Sequence, residues 1–293
     1  MESLKSYTDK FFIQHKNELL KNYPGISPQR IYQELKTLSF SHYDESRNLE
    51  RPYLDGSHCD FSYFFGKLRE GIPLAYITGR AYFYKSEFIV NENVLIPRFE
   101  TEVLVEKGAR FISQNFKNID LVKVADVGTG SGNIICSILR ESKRAIKAYA
   151  IDISSQALEI ADRNIYRLGF SFNPQSEVIL LEQDRLKTFS TNVHLLVSNP
   201  PYIKENQKEE VHVQVDTYEP HQSLYLNEAK YDEWYEQFFK QINEVLFPDG
   251  IFIIEGHEQW LGDLKKIAEK HSFNQLCIEK DLTGKDRFLV GRK

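Results

Sequence analysis

Cysteine is scarce in this chain. Cys59, Cys136 and Cys277 are the only three in 293 residues, and no two stand at a CxxC or similar paired spacing. That excludes a disulfide framework and predicts a reducing compartment. Long apolar runs are missing too, and nothing approaches the roughly 20 residues needed to cross a bilayer. The opening Met1-Glu2-Ser3-Leu4-Lys5-Ser6 has no apolar signal-peptide core. The expectation is a cytoplasmic protein with no membrane partner. Basic charge is not in excess: 42 acidic residues face 37 basic ones, for a formal charge of -5. That argues against a broad basic footprint for duplex nucleic acid. The eight histidines show no ligand spacing. His212 and His221 have neither a nearby cysteine nor a helix register to complete a site, so no metal is expected. No Ser–His–Asp or Cys–His order sits beside a glycine elbow, and no internal repeat or low-complexity tract is visible.

What is present is enough apolar material, 41% of residues, for more than one core, and a length that implies two domains. Residues 1–85 read as helical. Leu4, Tyr7, Phe11, Phe12, His15 and Leu19 recur at helix spacing. Ser27-Pro28 places a capping hydroxyl before a proline at the first helical position, with Ile31, Leu35 and Leu38 following on one face. A further helix is expected around Phe61, Phe64, Phe65 and Leu68. Residues 86–100 alternate from Phe88 to Ile96 and predict a β-hairpin linker. Residues 101–293 alternate strand and helix patterns, which predicts an α/β domain with a doubly wound sheet. Strands are expected near Val122, Ala148, Val178, Leu195, Ile251, Leu276 and Phe288. The last two flank a turn at Thr283-Gly284-Lys285 and should pair antiparallel at one edge.

The most informative stretch is Val193-His194-Leu195-Leu196-Val197-Ser198-Asn199-Pro200-Pro201-Tyr202. An apolar strand runs into two prolines, neither of which can donate to a ladder, so the chain must leave the sheet there. In open α/β sheets the carboxyl edge is where ligands bind. The Asn199 side-chain oxygen and the Pro200 carbonyl are two acceptors suited to one planar –NH₂ group. Tyr202 can lie against the flat face of whatever carries that nitrogen. The plainer reading is a strand-ending turn, since Asn-Pro commonly opens one.

Upstream, a strand near Val122–Val127 enters Gly128-Thr129-Gly130-Ser131-Gly132 and then an apolar-periodic helix. Glycines there let the backbone turn sharply and approach a ligand. Asp152 follows a second strand at the spacing where a carboxylate meets ribose hydroxyls. A third strand ends in Gln183-Asp184, where an amide or carboxylate can meet an adenine edge, and Arg185 beside them can stack on a ring. The dinucleotide fingerprint fails here, because neither Asn133 nor Ile135 supplies its third glycine.

The Gly-x-Gly-x-Gly spacing after Asp126, followed by Asp152, Asp184 and Asn-Pro-Pro-Tyr, resembles the S-adenosylmethionine-dependent methyltransferases. The Asn-Pro-Pro-Tyr exit resembles those that modify base amines or side-chain amides. Gly71 to Gly79, Phe88-Ile89-Val90, Val94 to Glu102, Tyr218-Glu219-Pro220 with Leu224, and Lys280-Asp281-Leu282 with Arg287 and Gly291 look like the protein-glutamine methyltransferases. Within these, the chain is most similar to the family acting on the glutamine of class-1 peptide chain release factors. The sequence departs from that family's pattern at Phe99, at Ala81-Tyr82-Phe83, at Glu255-Gly256-His257 and at Arg185. The resemblance implies a seven-stranded Rossmann-like methyltransferase sheet whose last strand is antiparallel, beside a small helical substrate-recognition domain. It implies S-adenosylmethionine as cofactor, held by Gly128, Thr129, Gly130, Ser131, Gly132, Asp152, Asp184, Arg185 and Asn199. It implies catalysis by Asn199, Pro200, Pro201 and Tyr202 on the Gly-Gly-Gln loop of a release factor. The alternatives are a ribosomal-protein glutamine, favoured by Ala81-Tyr82-Phe83, and a DNA or RNA base amine, disfavoured by the net charge. Arg98, Glu100 and Glu102 either open a helix or line the cleft between the two domains. The run Lys204 to Glu210 reads as a solvated loop that orders over substrate.

Overall fold

The structure is a computed structural model that describes residues 4–40 and 62–293; Cys59 and Phe61 lie outside them. The chain divides into two compact units, Met1–Gly79 with His212–Tyr218, and Arg80–Val211 with Glu219–Lys293.

The smaller unit holds α1 (Leu4–Asn22), α2 (Pro28–Phe40), α3 (Ser62–Arg69), α4 (Leu74–Thr78) and, much later in the chain, α8 (Val213–Tyr218). Ser27 caps α2 as its sequence implies, its hydroxyl accepting the Arg30 N–H at 3.2 Å. Phe11, Phe12, Leu19, Ile31, Leu35, Phe64, Phe65 and Leu68 make one buried cluster, so the aromatics here form a core. The α8 segment is tied on by Gln214, which donates to the Gly71 carbonyl at 2.7 Å, and by the Tyr218 hydroxyl, which donates to the Glu70 carbonyl at 2.6 Å.

The larger unit begins with β1 (Arg80–Phe83) and β2 (Ser86–Ile89). This hairpin lies earlier than the alternation predicts, and residues 91–98 carry no strand. The turn is Tyr84-Lys85, both at positive φ (42° and 64°). Neither residue is the Asn or Gly that marks such a turn in sequence, which is why its position was not legible.

Then come α5 (Glu102–Asn115), β3 (Leu121–Val127), α6 (Asn133–Glu141), β4 (Ala145–Asp152), α7 (Ser155–Leu168), β5 (Glu177–Glu182) and β6 (Val193–Ser198). Two short strands, β7 (Ile203–Lys204) and β8 (Tyr225–Leu226), pair parallel, with α9 (His221–Leu224) before the second. The unit closes with α10 (Tyr231–Val245), β9 (Leu246–Glu255), α11 (Leu261–Glu269), β10 (Gln275–Lys280) and β11 (Asp286–Arg292).

Seven strands form one sheet in the order β10-β11-β9-β6-β3-β4-β5. Each expected strand is present. The last strand runs antiparallel, inserted between β9 and β10. Side chains alternate between two buried faces. Val122, Val124, Ile146, Ala148, Leu195, Val197, Ile251 and Ile253 pack with residues of α5 and α6. Ala125, Val127, Tyr149, Ile151, Leu196, Phe252 and Ile254 pack with α10 and α11. Burial on both faces is what parallel strands require, and it explains their nearly unbroken apolar runs. The carboxyl ends of β3, β4 and β6 therefore emerge together. Gly128 and Thr129 donate to the Ile151 carbonyl (2.8 and 2.9 Å), and the Ser198 hydroxyl donates to the Val127 carbonyl at 2.6 Å.

Candidate active site

A cavity of about 270 Å³ opens at that carboxyl edge. Its wall includes Gly128, Thr129, Gly130, Ser131, Asp152, Asp184, Arg185, Asn199, Pro200 and Pro201. Of the residues expected to hold the cofactor or to carry catalysis, Gly132 and Tyr202 are not in the wall.

The glycine loop takes positive φ at Gly128, Gly130 and Gly132. Gly132 is there for packing: a Cβ on it would sit 3.4 Å from the Cα and Cβ of Ala161, so the loop can lie close against α7. Asp152 is locked into the loop. Its Oδ2 accepts the Gly130 N–H at 2.9 Å and its Oδ1 accepts the Ser154 N–H at 3.0 Å. Burial pushes its carboxyl above the usual range, against these bonds. Each oxygen keeps a further lone pair for a hydroxyl pair on a ligand.

Gln183 and Asp184 follow on the next strand end. The Gln183 oxygen accepts from the Thr188 hydroxyl, while its Nε2 is buried with no partner. An orphaned amide donor beside a carboxylate matches an adenine edge, which offers one ring-nitrogen acceptor and one amino donor. Arg185, at φ 52°, grips Asp184 through Nε and a terminal nitrogen (2.9 and 3.0 Å). That grip holds the Asp184 carboxyl below its usual range. The same guanidinium lies 4.8 Å over the Trp234 ring and donates to the Trp234 carbonyl at 3.0 Å. Arg185 thus stacks on a ring of its own chain, and Trp234 supplies an aromatic surface in the cavity wall that no sequence signal marked.

On the other side, Asn199 donates from Nδ2 to Thr101 Oγ1 at 3.2 Å. Burial pushes the carboxyl of Glu255, 1% exposed, up to about 7. With the –NH₂ engaged, the Asn199 oxygen is the end left for a ligand. The Pro201 carbonyl accepts from the Tyr235 hydroxyl at 3.1 Å. Tyr202 turns away from the cavity, its ring 6.3 Å from that of His257. Burial, with the Glu255 charge added, raises its phenol far above the ordinary value.

Glu219 is 4% exposed and clamps the opposite rim. Its carboxylate accepts from Arg98 at 2.7 Å and from the Ile96 N–H at 3.0 Å. Arg98 thereby lines the cavity, whereas Glu102 opens α5 and accepts the Tyr84 N–H at 3.0 Å. The helix-opening reading of this charged segment holds for Glu102, the first residue of α5. Thr101 lies in the Val94 to Glu102 stretch that carries the resemblance, but nothing in the sequence marked it as the partner of Asn199; the fold brings the start of α5 to the end of β6.

The run after Tyr202, expected as a solvated loop, is built into the fold. Residues 205–210 form a 3₁₀ helix. Lys204 lies 3.8 Å over the Trp260 ring, and the indole N–H donates to Gln207 at 3.2 Å. Among the described residues, no group of three or more His, Cys, Asp or Glu is placed to hold a metal, and no helix is long and apolar enough to cross a membrane.

Comparison with known proteins agrees with this geometry. The methyltransferase small domain model matches residues 101–217. The chain is similar to a release factor glutamine methyltransferase of Flavobacterium psychrophilum, 34% identical over 76% of each chain. It is similar to those of Leptospira interrogans, 36% identical over 74% of each, and Bacillus cereus, 32% identical over 83% of this chain and 84% of that one. In fold it resembles the hMettl16 catalytic domain, solved in complex with MAT2A 3′UTR hairpin 6, with a TM-score of 0.51 and 13% identity over 70% of this chain and 74% of that one.

Proposed function

Because the chain belongs to the release factor glutamine methyltransferase family, we propose that it methylates the side-chain amide nitrogen (N5) of the glutamine in the Gly-Gly-Gln motif of class-1 translation release factors. S-adenosylmethionine is the proposed cofactor, and the cytoplasm the proposed location. The observation that carries this reading is the Asn199 carboxamide, its –NH₂ held by Thr101, in a cavity whose other wall is the glycine loop and Asp152. In this reading residues 1–85 recognise the protein partner and residues 101–293 hold the cofactor.

The residues present fit that cofactor. Asp152 offers acceptors for a ribose diol, the unpartnered Gln183 amide and Asp184 offer a donor and acceptor for adenine, and the open glycine loop admits the rest. When bound, S-adenosylmethionine supplies an electrophilic methyl group on a sulfonium. An amide nitrogen is a poor nucleophile, because its lone pair is delocalised into the carbonyl, and it is too weak an acid to be deprotonated first. The Asn199 oxygen and the Pro200 carbonyl accept from its two N–H groups and aim the nitrogen. They also stabilise positive charge as it grows there. A nitrogen that has gained a fourth bond is strongly acidic and passes its proton to water.

Incubating the chain with labelled S-adenosylmethionine, purified release factor, ribosomal proteins and nucleic acid, and locating the label by mass spectrometry, tests the reading. Label on the Gly-Gly-Gln glutamine supports it. Label on a ribosomal-protein glutamine or on a base amine replaces the substrate. Asn199→Ala should lower kcat by about a hundredfold or more with the fold intact, and near-normal turnover would remove the clamp.

A further inference from the structure

Asn199 and Pro200 each precede a proline, which disfavours helical backbone and keeps both residues extended. The rings of Pro200 and Pro201 fix φ at roughly −65°. The exit from β6 is therefore a short, stiff rod of polyproline type, whose carbonyls turn about its axis about three to the turn. Neither proline has an N–H, so no ladder bond sets how far the rod is rotated. That rotation decides whether the Pro200 carbonyl meets an incoming amide or misses it. Only a group outside the rod's own backbone can fix it.

Two hydrogen bonds do so, one at each end. The Asn199 carboxamide donates from Nδ2 to Thr101 Oγ1 at 3.2 Å. The Pro201 carbonyl accepts from the Tyr235 hydroxyl at 3.1 Å. Pro200 lies between these two pins, and all three rod residues line the cavity. We propose that Tyr235 is a positioning residue, which fixes the rotation of the Asn-Pro-Pro rod and so aims the Pro200 carbonyl at the substrate amide. The proposal rests on the reading of the site as an amide methyltransferase.

The setting of Tyr235 suits that task. The residue is fully buried. Its ring centre lies 4.9 Å from that of Trp234, 5.0 Å from that of Tyr231 and 6.2 Å from that of Phe239, so the hydroxyl has a fixed place. Burial raises its phenol well above the ordinary value, and the donated proton is kept. Trp234, the preceding residue of α10, lines the cavity beside Arg185. One turn of α10 thus sets the clamp in register with the wall proposed to hold the methyl donor. Beyond the rod, Lys204 sits between the rings of Tyr231, at 4.9 Å, and Trp260, at 3.8 Å. The chain leaving the site is therefore anchored without the Tyr235 hydroxyl.

The test uses the full chain, labelled S-adenosylmethionine and a class-1 release factor. Tyr235→Phe keeps the ring and removes the donor. Its kcat, expressed per cofactor site counted by calorimetry, should fall about tenfold or more, while cofactor affinity stays within about twofold of wild type. Counting sites removes any unfolded fraction, so a merely structural hydroxyl would leave this kcat at the wild-type value. Placing 4-aminophenylalanine at position 235 returns an N–H donor and should recover most of the rate. In an Asn199→Ala background, where the clamp is already lost, Tyr235→Phe should cost less than about threefold more. The aiming role is overturned if Tyr235→Phe turns over like wild type per site, if the amino side chain recovers nothing, or if the two substitutions lower kcat independently. Should the phenylalanine variant not fold, 4-fluorophenylalanine, which fills the place of the hydroxyl without a proton, is held to the same outcomes. If wild type itself labels no amide, the methyl-transfer reading has failed and the role of Tyr235 falls with it.

Discussion

Asp126 shows what one buried charge does to this fold. It lies at the end of β3, fully buried, and accepts from the Thr129 hydroxyl at 2.7 Å. Burial raises its carboxyl from the ordinary 3.8 to about 7. Between those values the folded chain keeps a proton that the unfolded chain has released, so the carboxyl lowers stability as pH rises and its full cost is reached above about 7. Asp126→Asn keeps an acceptor for Thr129 and removes that dependence. Denaturant titrations should show wild type and variant converging near pH 4 and the variant ahead by up to a few kcal/mol at pH 8. Asp126, Asp152 and the glycines were legible because their chemistry depends on spacing along one stretch of chain. Tyr202 was misleading for the opposite reason. Its place in a motif says nothing of which way the ring turns after two prolines, and it faces His257 and Glu255 rather than the cavity.

Among the elements, the β1–β2 hairpin departs furthest from its sequence. Phe83 and Phe88 are fully buried and set the register, yet Tyr84 and Lys85 occupy left-handed positions that favour Asn and Gly. Lys85→Gly should stabilise the larger unit by about 1 kcal/mol, read from the unfolding midpoint, because relief of the backbone strain outweighs the extra freedom of glycine in the unfolded chain. The exposed Lys85–Glu141 pair lost with it counts for little. The central strands β3, β4, β6 and β9, by contrast, were visible as apolar runs, since burial on both faces leaves a strand few polar positions. Insertion of β11 between β9 and β10 was not visible, because strand order is set by packing partners and not by strand composition.

In the whole molecule, the two units keep separate cores, and every residue of the cavity wall belongs to the larger one. Leu35→Ala, at a fully buried position of the smaller core, should cost about 2–5 kcal/mol of that unit's stability. Cofactor affinity by calorimetry should not change, while KM for the release factor should rise if the proposed partner recognition by residues 1–85 is correct. The sequence alone determined the α/β class, the glycine loop with its acidic partner, and the Asn-Pro-Pro-Tyr exit, because each is written in residues close together along the chain. Only the tertiary structure decided that Thr101 stands behind Asn199, that Trp234 backs Arg185, and that Glu219 holds Arg98. Those partners are 49 to 121 residues apart in sequence and meet only because the sheet brings the ends of its strands to one edge.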